Sequence, residues 1–396
     1  MDFQNVNPLN VWINFISGNL FPMTADDTSF PVLWKIYSIL LWLLELVQMC
    51  VLIRGCILVP KERALKDGLI GLAITIEVVF IVVRIQTRRG LIQQLIQNLN
   101  DILRTKDEIM RNIVIGIFKP IKAPFKFYLI GGTASVFMWT VVPFSLVFHR
   151  NVFFYIDYRM PVIFSKEPFS ITTFVAGSLL VMTSSVYIFI KKVSVDSYMT
   201  HLILLITAQY KYTALKLAMI FQGAQNNCDD ASEAKSYDMN QYAKKKIKII
   251  CQQHNAVLHM TFLLRELLSS NLSIMYLNNV FRFCCIVIMV ISIPHIGAFE
   301  GFIFITYAMG GIIQLYIVCS CMQQLLDAST ELTDQAFHEG WYRFSVPIKR
   351  MLIFIIMANN IEPKIAMFER YNMSLSSFMT ILNQSYSIAL LLLRTN

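Results

Sequence analysis

Seven apolar stretches run through the chain at 36–53, 68–83, 127–148, 171–190, 272–293, 301–321 and 375–393. Most approach the roughly 20 residues an α-helix needs to cross about 30 Å of hydrocarbon, and the shorter second stretch gains length from the helical sequence that follows it. Composition agrees: 56% hydrophobic and only 15% charged residues over 396 positions exceed the apolar content of a soluble domain. The expected fold class is therefore all-α, a polytopic membrane protein whose seven transmembrane helices form one unit over 1–396. An eighth stretch, 351–357, is too short to span. It follows Ser345 and Pro347 and ends at Asn359 and Asn360, which reads as a short helix packed on protein.

The connections divide by length. Segments 84–126, 191–271 and 322–374 are long and fall on one side, whereas 54–67, 149–170 and 294–300 are short and fall on the other. The long ones are expected to form a helical anchor beneath the membrane, mainly 191–271 and 322–374, with the polar run 222–241 as a flexible loop. Basic residues near the span ends lean toward that same side, which places the N-terminus in the cytosol and the C-terminus outside. Residues 1–31 hold no Lys or Arg and no cleavable apolar core, so the first span is expected to act as the signal anchor. The net charge of +9 is spread through these segments, and its one dense run, Lys244 to Lys246 with Lys248, suits anionic lipid headgroups better than nucleic acid. Span spacing shows no internal repeat, against transporter folds built on such symmetry.

Catalytic patterns are missing from the sequence. His254 and His259 do not share a helical face, no H-E-x-x-H, G-x-S-x-G or P-loop occurs, and the eight cysteines form no C-x-x-C pair. The expectation is a protein without enzymatic activity, metal or cofactor. A G-protein-coupled receptor is disfavoured too, because Asp157-Tyr158-Arg159 falls in a loop and no N-P-x-x-Y ends the last span. Three ionisable residues lie within spans: Glu45, Glu77 and Arg282. Glu77 shares a face with Arg84 at i+7, where water or a neighbouring helix is expected to satisfy it, and Arg282 is expected to snorkel toward the cytosolic interface, with a wetted cytosolic vestibule as its functional alternative.

Polar residues inside the last span, Asn383, Ser385 and Ser387, suggest a conduit. The order of Trp341-Tyr342, the Pro347-started helix with Lys349, then Pro363, Phe378 and Ser385-Tyr386-Ser387 resembles the C-terminal block of insect odorant receptors. Asp196, His201 and Gln209 resemble that family's extended fourth helix, and His254-Asn255 with Val257-Leu258 its lead into span five. The resemblance covers roughly 191–393 and extends to the first half through span layout alone. It implies a ligand-gated cation channel in the plasma membrane of olfactory sensory neurons, a heterotetramer with the shared odorant co-receptor, whose long second cytosolic insertion this chain lacks. The chain then reads as the odorant-tuning subunit. A gustatory-type receptor channel is the alternative within the superfamily, and a transporter the alternative outside it.

A small hydrophobic volatile ligand needs a mostly aromatic cavity with few polar groups. The resemblance puts that cavity in the outer half of spans two, three, four and six. Candidate lining residues are Leu72 and Ile76; Gly132, Ser135 and Trp139, which share a face at i, i+3, i+7; Phe174 and Ser178; and Phe304 and Tyr307. Polarity alone would turn the stripe with Asn383 and Ser387 toward water. The family pattern instead puts a gate at Tyr386, Ala389, Leu392 and Leu393, with Asn383 and Ser387 bonded to neighbouring helices. Trp341 and Tyr342 are expected to be buried in the assembly anchor.

Overall fold

The computed structural model describes all residues except 25–29, 59–67, 105–106, 159, 161–166, 226–232, 292–297, 338–340, 362–365, 368–370 and 396. Among the described residues, seven helices are long and apolar enough to cross a membrane. Spans one to seven are Val32–Leu58, Leu69–Thr87, Glu108–Val141, Ile171–Gln225, Glu233–Ile291, Ala298–Ala336 and Leu375–Thr395. Spans three to six run well beyond their apolar windows, all on the side of the long connections. That side is the anchor side, and the opposite one carries the 149–170 connection. Pro363 lies outside the described residues, and so do the side chains of Phe304 and Leu393.

The extension of span four is the axis of the anchor. From Lys191 to Tyr210 every residue is buried, Tyr198, Leu202, Ile203 and Leu205 completely. A helix buried on every side has to be surrounded, and here spans three, five and six and the N-terminal segment surround it. Asp196, His201 and Gln209 are each about 1% exposed within this axis. Helix continues to Gln225 and resumes at Glu233, so it takes up both ends of the run expected to be a loop. The sequence from Glu233 is rich in Glu, Ala, Lys and Met, all good helix formers. Residues 226–232 of that run lie outside the described residues.

The N-terminal segment docks on the same axis. Its helix Pro8–Ser17 ends at Gly18, whose φ of 67° is left-handed, a conformation glycine adopts without strain. Phe3 donates its backbone N–H to Asn100 Oδ1 (2.8 Å), its carbonyl meets the His201 ring (3.1 Å), and Tyr198 donates to the Pro22 carbonyl (2.7 Å). Asn14 brackets Phe21 through both of its backbone groups. The short helix expected around 351–357 is Val346–Ile361, with Pro347 in its first turn and Ile348, Leu352 and Ile355 buried at i, i+4, i+7. Span six packs on spans three and four, span seven on five and six, and span two on four and five. Span one rests on two and four and leaves most of its surface open.

Candidate functional site

Charge inside the membrane helices gathers at one level. Lys192 of span four places Nζ 2.6 Å from Glu77 Oε1 of span two and 3.1 Å from Asp196 Oδ1 one turn further on. The other Asp196 oxygen accepts from Tyr128 of span three (3.0 Å), and the other Glu77 oxygen accepts from the Asn278 amide of span five. Arg282, also of span five, donates to Asn279 Oδ1 (2.6 Å) and to Gln314 Oε1 of span six (2.9 Å), and is near enough to act electrostatically on Lys192 and Tyr128. Gly311 permits this approach, since a Cβ there would stand 3.1 Å from Arg282 Nη2. Two carboxylates, one ammonium and one guanidinium are formally neutral together. Each alone would be costly to bury, and the set ties spans two to six at a single layer.

One sequence expectation is met at this layer and one is corrected. A neighbouring helix does satisfy Glu77, through Lys192 of span four, while Arg84 donates to the backbone carbonyls of Glu266 and Leu267. Residues i and i+7 share a face but stand two turns, roughly 10 Å, apart along the axis. Arg282 does not snorkel; at 6% exposure it is held inside the bundle. Glu45 of span one is buried in the field of Lys191, whose ammonium meets the Ser17 carbonyl (2.9 Å) and the Trp42 ring (4.0 Å).

Spans three, four and six pack pairwise on one another, and their outer parts lead from this polar layer toward the 149–170 connection. A Cβ on Gly132 would lie 2.1 Å from Phe189 Cζ, so the room left by that glycine is filled by the Phe189 ring. Ser135 donates to the Gly131 carbonyl of its own helix (2.7 Å), and Trp139 is half-buried. Phe174 is fully buried and stacks on Phe153 from the connection, with centroids 4.1 Å apart and an 8° tilt. Tyr158 and Phe169 complete this aromatic roof, which the backbone pairing of Phe153 with Phe169 pins down. Two hydroxyls remain: Ser178 Oγ is buried with no hydrogen bond among the described residues, and Tyr307 OH is buried within electrostatic reach of Arg282 but without a hydrogen bond of standard geometry.

Leu72 is half-buried, but Ile76 opens onto a groove between spans one and two and is 48% exposed. On span seven, Ile381, Ser385 and Ala389 are buried along one face, while Thr380, Asn383 and Ser387 are exposed on the opposite one. Tyr386 and Leu392 are exposed. Ala389 thus departs from the stripe it was expected to share with Tyr386, because it repeats Ser385 at i+4 and packs into the chain's own bundle. Asn383 and Ser387 are likewise open rather than engaged with helices of this chain. Trp341 is half-buried beside Phe337 (5.5 Å between centroids), and Tyr342 is exposed. Sequence reasoning missed Lys192 and Phe153 altogether; a lysine one helical turn before Asp196 on a buried face was the signal for the first.

The family model described as 7tm odorant receptor matches residues 71–386. The chain is 26% identical over 95 residues to Odorant receptor 85f of Drosophila melanogaster, a stretch covering 24% of this chain and 24% of that receptor. Its fold is similar to that of the insect olfactory receptor OR5 from Machilis hrabei, with a TM-score of 0.78 at 12% identity, covering 98% of this chain and 97% of that one. The same receptor in complex with eugenol matches with a TM-score of 0.76 at 13% identity over 100% of both chains.

Proposed function

The chain belongs to the seven-transmembrane odorant receptor family of insects, and from that premise we propose that it is the odorant-binding subunit of a heteromeric, ligand-gated, non-selective cation channel. The anchor side faces the cytosol and the C-terminus lies outside. The partner is the odorant co-receptor, and the setting is the plasma membrane of olfactory sensory neurons. A small volatile molecule binds in the column of spans three, four and six, between the aromatic roof and the polar layer.

The observation that carries this reading is a pair of buried hydroxyls without a hydrogen bond of standard geometry among the described residues, Ser178 Oγ of span four and Tyr307 OH of span six. A buried polar group without a partner costs about 1–3 kcal/mol, and an apolar ligand with one polar group restores that bond while its rings contact the aromatic walls. A receptor of the same fold solved with eugenol supports the choice. Occupation displaces the groups that touch Arg282 through Tyr307, and Arg282 sits on span five, against which span seven packs. The open face of span seven, with Thr380, Asn383 and Ser387 flanked by Tyr386, lines the shared pore.

The test is whole-cell recording from cells that express this chain with the co-receptor, screened with a panel of volatile ligands. Currents beyond those of the co-receptor alone are expected. Ser178→Ala and Tyr307→Phe should each raise the half-maximal concentration of ligands with a hydroxyl about tenfold, while leaving apolar analogues within a factor of two. Ligand uptake without conductance would make the protein a transporter, and currents independent of the odorant co-receptor would point to the gustatory type.

A further inference from the structure

Span two carries a second pattern that the ligand column does not use. Ile76, Val79, Phe80, Val83, Arg84 and Thr87 recur at helical spacing, so one stripe is apolar for two turns and then ends in a cation. In the structure this stripe and Met49 of span one wall a groove of about 500 Å³ that opens to the outside of the bundle. Ile76, Phe80 and Val83 are 48%, 41% and 54% exposed along it. From Ile76 to Thr87 the groove runs roughly 16 Å at about 1.5 Å per residue, which is half of the about 30 Å hydrocarbon core and so the depth of one leaflet.

The charge sits at one end only. Arg84 closes the anchor-side end, and Arg88 lies one turn beyond it. Arg84 Nε and Nη2 are fixed by the carbonyls of Leu267 (3.5 Å) and Glu266 (3.1 Å), which hold the guanidinium in place without neutralising it. The Glu266 carboxylate is engaged by Arg88. Nη1 of Arg84 is therefore uncommitted among the described residues, a fixed pair of N–H donors at the depth where a headgroup phosphate lies.

We propose that this groove is a binding site for an anionic phospholipid of the anchor-side leaflet. One acyl chain lies along Met49, Ile76, Phe80 and Val83, and the phosphate is held by Arg84 with Arg88 beside it. The apolar far end fixes the direction of the lipid, and the openness of the groove suits a chain that exchanges with the bilayer. Charge complementarity favours phosphatidylserine over a zwitterionic lipid.

Native mass spectrometry of the purified full-length chain tests this, with 1-palmitoyl-2-oleoyl phosphatidylserine, the matching phosphatidylcholine, or inorganic phosphate added at equal concentration. Retention of phosphatidylserine at least several-fold above phosphatidylcholine is expected, falling about tenfold in Arg84→Gln. Val83→Trp, at an exposed position, fills the groove and leaves both arginines in place. It should lose the bound lipid with an unchanged melting temperature. Equal retention of the two lipids, or full retention in both variants, would overturn the site. Phosphate competing as well as the lipid would reduce it to an anion site, and disulfide-linked dimers from Ile76→Cys would show that a second copy covers the groove; either result also rejects the lipid.

Discussion

At the residue scale, Lys192 is the member of the polar layer with the most to lose. Its ammonium is the direct partner of two carboxylates that are each at most about 2% exposed. Lys192→Met leaves Glu77 and Asp196 facing each other without it, and removal of one partner from a buried charge cluster costs about 3–5 kcal/mol. The purified variant should show a large drop in thermal stability by fluorescence-detected size exclusion. Lys192→Met combined with Glu77→Gln should recover much of it, since one carboxylate and its Asn278 bond are then neutralised together. A single variant with the melting temperature of the parent would show that the layer is solvated. The sequence displayed Glu77 and Arg282 as anomalies inside apolar spans, but not their partners. Lys192 stands 115 positions from Glu77, and no local period encodes that distance, whereas the local candidate Arg84 was visible and is engaged elsewhere.

Elements were legible where a single helix carries its own signal. The start of span four at Ile171 and the Pro347-started helix follow from period and caps alone. The N-terminal segment was not, because Phe3, Val6, Ile13 and Phe21 have meaning only against the receiving surface of Asn100, Tyr198 and His201. Phe3 is about 1% exposed and meets the His201 ring edge-on at 4.4 Å. Phe3→Ala should cost about 3–5 kcal/mol and free residues 1–23 for limited proteolysis. A parental proteolysis pattern would show that the segment is held by its helix Pro8–Ser17 alone. Far ends of elements are fastened by local chemistry as well. Asp107 caps span three at Ile109 and bonds Lys216 and Tyr212 of span four, contacts that hold its carboxyl down to about 2 from the usual 3.8. With the folded value depressed, that contribution is complete above about pH 5 and is lost as the pH falls through the ordinary carboxylate value toward 2.

For the whole molecule, the informative surface is the one this chain cannot cover itself. Span seven buries Ile381, Ser385 and Ala389 against spans five and six and turns Thr380, Asn383 and Ser387 outward. An exposed polar stripe on a transmembrane helix is costly in lipid, and a shared water-filled axis removes that cost. The burial of Phe174 and Ser178 was legible in the apolar sequence of span four, whereas the stacking of Phe174 on Phe153 depends on a connection whose course no helical period encodes. The orientation of span seven was harder, because helical phase defines two opposite stripes but not which one the neighbouring spans will take. Cysteine substitution in the complex with the co-receptor, followed by a water-soluble methanethiosulfonate during ligand-evoked current, discriminates between them. Positions 383 and 387 should lose current within seconds of exposure, position 386 should react more slowly at the edge of the stripe, and position 389 should be untouched. Rapid block at 389 with protection at 383 and 387 would mean that span seven rotates by about half a turn on assembly, exchanging its Ser385–Ala389 face for the polar one.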